Sequence, residues 1–297
     1  VQSEEFVKSH GGKIDDVSIY GQESNPTTWR LAAMNLAIRG FSVDLGKSHA
    51  DTFANDQFPD LKFDYIMANP PFNISDWGGE KYENDVRWKY GRPPVGNANY
   101  AWLQHILWKL KLGGQAGIIL SNGSMSSKTS DEGKIRKAMI QGDVIEVMIA
   151  LPGQLFLNTQ IPCCLWFLTN DKTKNGRDRR NETLFIDARK LGTMKTRALK
   201  VLTQEDILTI ANTVASWKKD ENYNDIKGFC KSSNYEDIEK NEFVLTPGRY
   251  VGFEEEIDDG VPFEQKVSKL NDELLKLTID GNELTKKIES NLKKIIK

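Results

Sequence analysis

The sequence has few of the residues that identify a protein class at once: three cysteines, three histidines and no excess of basic residues. A net charge of -2 does not fit a protein that binds DNA by its overall charge alone, because sequence-independent DNA affinity comes from clustered Lys and Arg. Cys163, Cys164 and Cys230 lack the spacing of a disulfide framework or a zinc site, which predicts reduced, buried thiols in a cytoplasmic protein. The histidines are scattered without a metal-ligand pattern, and no apolar run approaches the length of a membrane span.

The most informative motif is Asn69-Pro70-Pro71-Phe72, which directly follows the apolar run 63–68. An amino group conjugated to a ring is a poor nucleophile, and it attacks a methyl sulfonium only if both N–H bonds are held out of the ring plane. The Asn69 amide oxygen and the Pro70 carbonyl oxygen can accept these N–H groups, the prolines fix the turn, and Phe72 offers a face for stacking. The motif therefore predicts methylation of a planar amine without a general base, and a rigid turn that merely ends a strand is the alternative.

Strands alternate with helices along the chain, as judged from apolar spacing, helix caps and glycine stops. The predicted strands are 17–23, 41–43, 63–68, 116–120, 144–151, 161–168 and 183–187, and the predicted helices are 26–39, 99–111 and 131–140. This alternation predicts an α/β fold with a mostly parallel, Rossmann-like methyltransferase sheet and helices on both faces. Segments 161–168 and 183–187 are expected to pair as one antiparallel hairpin at the sheet edge. The motif then lies at the carboxyl end of a strand, where open α/β sheets bind ligands.

Two long connections link the predicted elements. The loop 73–94 is rich in Gly, Trp and charge, and a loop of this length in a compact domain is usually functional. The segment 170–181 carries five basic residues, which are Lys172, Lys174, Arg177, Arg179 and Arg180. We interpret this segment as a solvated hairpin tip, and contact with DNA phosphates is the alternative.

The sequence ends in a helical tail. Apolar residues recur there at nearly heptad spacing, at Val267, Leu270, Leu274, Leu277, Leu284, Ile288, Leu292 and Ile295. This pattern predicts a coiled-coil-like helix that docks on a partner helix, and packing on its own domain is the alternative. Gly281 occupies one seam position and is expected to break or kink the helix. We therefore divide the chain into a catalytic domain, 1–252, and a tail for docking of a partner subunit, 253–297.

Several longer motifs resemble one family, the modification (M) subunit of type I restriction–modification systems. They are 69–80 (NPPFNISDWGGE), 87–91 (RWKYG), 97–105 (NANYAWLQH), 151–156 (LPGQLF), 159–162 (TQIP) and 246–252 (TPGRYVG). The resemblance covers nearly the whole chain. It implies N6-adenine methylation of double-stranded DNA with S-adenosylmethionine in a prokaryotic cytoplasm, together with a separate specificity (S) subunit and a restriction (R) subunit. Because the S subunit would recognise the DNA, the resemblance also explains why this chain has no excess of basic residues.

The resemblance also implies roles for single residues. Asn69, Pro70 and Phe72 would hold an adenine that is flipped out of the duplex, because a stacked base cannot reach the methyl group. Pro71 and Phe156 would contact the same base, although Phe156 is equally well a core aromatic residue. Two acidic residues match cofactor-binding positions of the family: Glu23 at the ribose hydroxyls and Asp51 at the adenine of the cofactor.

The start of the chain departs from the family pattern. The family carries a strand and a glycine-rich cofactor loop before the segment 2–6 (QSEEF), and also an N-terminal helical domain. We expect this chain to be a piece of a longer subunit, with unpaired sheet edges and weak cofactor binding on its own. Two alternatives remain open: a methyltransferase that acts on cytosine N4 or a glutamine amide, and a non-catalytic assembly module.

Overall fold

The computed structural model describes residues 2–13, 17–40, 42–157, 159–253 and 262–295. The chain divides into two units, Val1–Phe253 and Glu254–Lys297, which are described separately. None of the helices in the described ranges combines the length and the apolar character that a membrane span requires.

The strands are β1 (Ile19–Tyr20), β2 (Val43–Asp44), β3 (Phe63–Ala68), β4 (Leu110–Ser121), β5 (Ile145–Ala150), β6 (Cys163–Thr169), β7 (Glu182–Asp187), β8 (Thr193–Met194), β9 (Lys200–Val201) and β10 (Cys230–Asn234). The helices are α1 (Gln2–Ser9), α2 (Pro26–Ile38), α3 (Asn99–Lys109), α4 (Glu132–Gln141), α5 (Gln204–Lys219), α6 (Tyr235–Lys240) and α7 (Phe263–Ile295). Each predicted strand and helix has a counterpart, with shifted bounds, whereas α1, α5, α6 and strands β8 to β10 were not predicted.

A six-stranded sheet, in the order β10-β7-β5-β6-β4-β3, forms the centre of the first unit. Strands β3, β4, β5 and β7 run in one direction, and β6 and β10 run in the other. The predicted α/β class with a mostly parallel sheet is confirmed.

The predicted hairpin between 161–168 and 183–187 is wrong. β6 lies inside the sheet, where Leu168 is opposite Ala116 of β4 and Ile145 of β5, and β7 pairs in parallel with β5. The antiparallel edge strand is instead β10, which the sequence analysis did not predict. β6 is almost continuously apolar and the interior residues of β7 are buried, which indicates burial but not which strand is the neighbour.

Helices cover both faces of this sheet. On one face, Leu103 of α3 and Met139 of α4 share a buried cluster with Trp166 of β6. On the other face, Trp217 of α5 shares a second cluster with Val147 of β5. Met148 of β5 belongs to the first cluster, so adjacent β5 residues face opposite clusters, as the period of a strand requires.

β1 and β2 form a separate parallel pair, with Ile19 opposite Val43. Helix α2 packs beside them, and Trp29 Nε1 donates a hydrogen bond to the Leu45 carbonyl oxygen at 2.9 Å. The predicted cap of α2 is confirmed: Asn25 Oδ1 accepts hydrogen bonds from the backbone N–H groups of the first turn. In the large sheet β3 is an edge strand, with Tyr65 73% and Met67 79% exposed.

The basic segment 170–181 connects β6 to β7 at the amino ends of the parallel strands. Its predicted solvated tip is wrong for Lys172 and Arg179, which are buried. Arg179 Nη2 lies 2.9 Å from Glu146 Oε1 of β5, and Lys172 Nζ lies 2.6 Å from Asp143 Oδ1. Buried Glu146 requires cationic partners; the segment supplies Arg179, and α5 supplies Lys218, whose Nζ lies 2.8 Å from Glu146 Oε2. Arg177 and Arg180 are also paired, with Glu182 and Asp178 respectively.

The second unit contains one continuous helix. The expected break or kink at Gly281 is wrong, because α7 runs through this position from Phe263 to Ile295. A glycine in a helix costs about 1 kcal/mol relative to alanine, and the runs 273–277 and 283–287, rich in Glu, Leu and Lys, offset this cost although Asp280 and Asn282 beside it are poor helix formers. The predicted seam residues whose exposure the structure describes, from Val267 to Leu292, are between 45% (Val267) and 64% (Leu270) exposed.

Candidate active site

Four loops meet at the carboxyl edge of the large sheet. They are 69–72 after β3, 122–125 after β4, 151–162 between β5 and β6, and 188–192 after β7. β3, β4, β5 and β7 are parallel, and β6 begins at the edge where they end, so these loops lie on one side of the molecule. Ligands of open α/β sheets bind at this edge.

The predicted catalytic motif leaves β3 at this edge. Asn69 and Pro71 are exposed, Pro70 is buried, and Phe72 is half-buried. The Asn69 side chain forms no hydrogen bond with the described part of the chain, so its amide oxygen is available as an acceptor. Pro70 is buried, and its ring restricts φ, so the backbone of the motif has little freedom at this position.

Phe156 lies beside the motif. Its ring centroid is 6.2 Å from that of Phe72, and the two planes meet at 76°. Both rings pack against the buried cluster that contains Val147 and Ile149 of β5. The two aromatic residues that sequence analysis predicted for the base pocket are therefore in contact, although 84 positions separate them.

The two predicted cofactor residues are also brought together. The Ala50 backbone N–H donates to the Glu23 carbonyl oxygen at 2.9 Å, which places Asp51 beside Glu23. Glu23 Oε1 accepts the Asn25 N–H at 2.7 Å, and Asp51 Oδ1 accepts the N–H groups of Phe53 and Ala54. One oxygen of each carboxylate thus fixes its own turn. The second oxygen of each has no hydrogen bond to the described residues.

These carboxylates suit the polar groups of a nucleoside. Ribose hydroxyls and an exocyclic amine donate hydrogen bonds, and the second oxygens of Glu23 and Asp51 are acceptors at a partly open surface. The residues present therefore fit the adenosine end of S-adenosylmethionine.

Arg87 connects the Asp51 turn to the loop that follows the motif. It is 8% exposed, and its guanidinium donates to the carbonyl oxygens of Thr52 (3.4 Å) and Phe53 (3.0 Å) and to both carboxylate oxygens of Asp85. Burial acts to raise the pKa of Asp85, but its hydrogen bonds to Arg87 outweigh burial and lower it. The loop 73–94 is thus an ordered layer against the Asp51 turn.

A cluster of aromatic side chains surrounds Arg87. Phe53 lies in it, with its centroid 5.1 Å from that of Trp77 and 4.4 Å from that of Trp102. The Arg87 guanidinium lies 5.2 Å from the Trp88 centroid. Cationic and aromatic groups at this distance attract each other, which adds to the packing of the loop.

Comparison with known proteins identifies the family. A family model described as "N-6 DNA Methylase" matches residues 1–259. The chain belongs to the N-6 DNA methylase family. The Type I restriction enzyme HindI methylase subunit of Haemophilus influenzae is 52% identical over 98% of this chain and 65% of its own length. The MjaIX methylase subunit of Methanocaldococcus jannaschii is 38% identical over 98% of this chain and 52% of its own length.

A solved structure agrees with these relatives. The crystal structure of a type I restriction–modification system methyltransferase subunit from Streptococcus thermophilus superimposes with a TM-score of 0.69 at 31% identity, over 79% of this chain and 48% of that chain. The resemblance to type I modification subunits and the methyltransferase fold are confirmed. This N-6 DNA methylase chain spans about half to two thirds of the length of the two curated relatives.

Sequence analysis missed the residues of the N-6 DNA methylase chain that hold the motif loop in place. Asn73 has φ of 54°, and Ser121 Oγ donates to its side-chain oxygen at 3.2 Å. Asn99, at the start of α3, exchanges two hydrogen bonds with Asn73: its Nδ2 donates to Asn73 Oδ1 at 2.8 Å, and its Oδ1 accepts the Asn73 N–H at 3.1 Å. The sequence gives only a weak signal for this hydrogen-bond network. A non-glycine residue follows the motif directly, and amide and hydroxyl residues stand at the ends of later elements. No local pattern predicts that these residues meet.

Proposed function

We propose that this chain forms the methyl-transferring part of a type I restriction–modification methylase, which methylates N6 of adenine in double-stranded DNA. The observation that carries the proposal is the end of β3, where Asn69 is exposed and Phe72, three positions further on, is in ring contact with Phe156. Two acceptors and a stacking face are what a planar amine requires. The N-6 family model favours adenine over cytosine N4 or a glutamine amide.

In this proposal the chain orients the amine and does not deprotonate it first. Asn69 Oδ1 and the Pro70 carbonyl oxygen accept the two N6–H groups, which turns the nitrogen lone pair towards the methyl donor. Phe72 stacks on the base, and Pro71 and Phe156 line its pocket. The base leaves the duplex to enter this site. The methylated amine loses its proton after transfer, so no side chain has to act as a general base.

Glu23 and Asp51 are assigned to the cofactor. S-adenosylmethionine supplies the methyl group as a sulfonium when it is bound. The second carboxylate oxygen of Glu23 would accept the ribose hydroxyls, and that of Asp51 would accept the adenine amine, since the first oxygen of each is engaged by backbone N–H groups. Arg87 holds the turn that carries Asp51.

The tail 253–297 is assigned to subunit assembly, and 1–252 to catalysis. We infer that α7 docks on helices of a specificity subunit, and that a restriction subunit joins the larger assembly. The exposed leucine and isoleucine side chains at nearly heptad spacing support this assignment, because such a seam is stable when a second helix covers it.

The proposal is tested with the modification complex that contains this chain, a synthetic DNA duplex and isotopically labelled S-adenosylmethionine. After digestion of the DNA, we expect the label in N6-methyladenine. Label in methylcytosine or in protein, or no transfer by the assembled complex, would contradict the proposal.

A further inference from the structure

A basic hairpin follows β7 at the edge of the sheet where the motif lies. Its strands β8 and β9 pair antiparallel, with Thr193 opposite Val201 and Met194 opposite Lys200. Between positions 188 and 204 the sequence has no acidic residue and five basic ones: Arg189, Lys190, Lys195, Arg197 and Lys200. This is a local concentration of positive charge in a chain whose net charge is -2.

The tip of the hairpin is an ordered turn. Thr196 Oγ1 accepts the backbone N–H groups of Ala198 (3.3 Å) and Leu199 (3.1 Å), and the Lys195 N–H donates to the Leu199 carbonyl oxygen at 2.8 Å. Lys195 and Arg197 are exposed on this turn. Neither has a carboxylate within ion-pair distance in the described ranges, which distinguishes them from the arginines of the segment 170–181.

Backbone and apolar contacts fix the hairpin next to the base pocket. The Lys200 N–H donates to the Gln154 carbonyl oxygen at 2.8 Å, two residues before Phe156. Leu191 and Leu202 flank the hairpin and pack against the buried cluster that also supports Phe72 and Phe156. The positive tip therefore has a defined position relative to the two rings.

We propose that the hairpin 193–201 binds the phosphate backbone of the DNA duplex, with Lys195 and Arg197 as the phosphate contacts. This proposal rests on the proposed function, since it places the duplex around a base held at Phe72. Nucleotides that flank a flipped base stay in the duplex, and their phosphates face the protein edge beside the pocket. Lys and Arg contacts to phosphates position the duplex without reading its sequence.

The test measures binding of a fluorescein-labelled duplex to the 297-residue chain by anisotropy, at salt concentrations from 50 to 200 mM. The double variant Lys195→Ala, Arg197→Ala should lower the slope of log affinity against log salt by about 2, because each phosphate contact contributes about 0.9. The matched control is Lys174→Ala, Arg180→Ala, which removes the same charge at the opposite end of the sheet. The control slope should equal that of the unmodified chain.

Two further variants make the result specific. Lys195→Arg, Arg197→Lys keeps both charges and should restore the slope. Asn69→Ala should leave the slope unchanged, because it removes no charge. No label in N6-methyladenine from the assembled, unmodified complex, together with the expected hairpin effect on the slope, would refute the proposed function and leave the phosphate contacts standing.

Equal slopes for the hairpin variant and its matched control would overturn the proposal, as would the absence of salt-dependent binding by the unmodified chain. Reduced assembly with a specificity subunit at unchanged DNA affinity would assign the hairpin to a protein partner and overturn it as well.

Discussion

Nη1 of Arg87 lies 3.3 Å from Nδ1 of His105, inside the layer between α3 and the loop 73–94. With this contact, the five N–H donors of Arg87 face five acceptors: both oxygens of Asp85, the carbonyl oxygens of Thr52 and Phe53, and the imidazole. His105 must be neutral to accept here. Burial, followed by the charge of Arg87, lowers the pKa of His105 to about 3.

Neutral His105 predicts a pH-dependent stability. In the unfolded chain the imidazole binds a proton near pH 6.5, whereas in the folded chain it does so only near pH 3. Below pH 6.5 the unfolded state therefore binds more protons, and the free energy of unfolding should fall by about 1.4 kcal/mol per pH unit from this group. Its full contribution is present above pH 6.5.

Denaturant titrations between pH 5 and 7.5 measure this effect. His105→Asn keeps an acceptor for Arg87 and should flatten the pH dependence. His49→Asn removes an exposed histidine and serves as the matched control. The same pH slope in both variants would show that His105 does not carry the effect.

Arg87→Lys should destabilise the fold by about 1–3 kcal/mol. Lysine cannot supply five donors in one plane, so buried acceptors lose their hydrogen bonds. The emission of the adjacent Trp88 should change at the same time. The control is Arg92→Lys at an exposed ion pair with Glu83, where less than about 1 kcal/mol is expected. Equal free energies of unfolding for Arg87→Lys and Arg92→Lys would contradict the conclusion that five buried acceptors depend on the Arg87 guanidinium.

Asn69→Ala should lower the methyl-transfer rate about 100- to 1000-fold in the assembled modification complex, because one oriented acceptor is lost. The melting temperature should stay unchanged, since the Asn69 side chain is exposed and has no partner in the described residues. Asn84→Ala, at another exposed asparagine, should keep full activity. Near-normal adenine methylation by Asn69→Ala would remove Asn69 from the mechanism.

Asn99→Ala should affect the motif loop indirectly. It removes both hydrogen bonds to Asn73 and leaves the Asn73 N–H without its acceptor, at a cost of about 1–3 kcal/mol in the free energy of unfolding. Because the loop is then less well oriented, kcat should fall more than the affinity for DNA. A loss of stability with unchanged kcat would assign the pair to folding alone.

Charge substitutions at Leu270→Asp and Leu274→Asp should abolish co-purification with the specificity subunit, because an unpaired charge at a buried seam is costly. Ser268→Asp and Lys269→Asp lie off the seam of the same helix and should leave assembly intact. Deletion of 263–297 should act like the leucine substitutions. Retained stoichiometric assembly of the leucine variants would mean that the seam faces its own domain.

Local chemistry predicts part of this structure. The cap at Asn25, the strand before Asn69 and the placement of the motif at a strand end all follow from turn residues and apolar runs within a few positions. The family resemblance assigned Phe72 and Phe156 to the same base pocket, and the structure adds that their rings are in contact.

The remaining features depend on contacts that are distant in sequence. β6 was assigned to the wrong neighbour because an apolar run specifies burial and not strand order. β10 was missed because Cys230–Asn234 is mostly polar, as edge strands often are. Arg179 looks solvated in sequence, and only the fold brings Glu146 to it.

The length of α7 restricts its partners. A helix of 33 residues is about 50 Å long, whereas a small globular domain is about 30 Å across. Such a domain would leave several turns of the seam in water. A partner that covers the whole seam from Val267 to Ile295 must present helices that are themselves about eight turns long. Long antiparallel or parallel helices satisfy this requirement. The length of α7 therefore restricts the partner to proteins with long helices, whatever side chains form the interface.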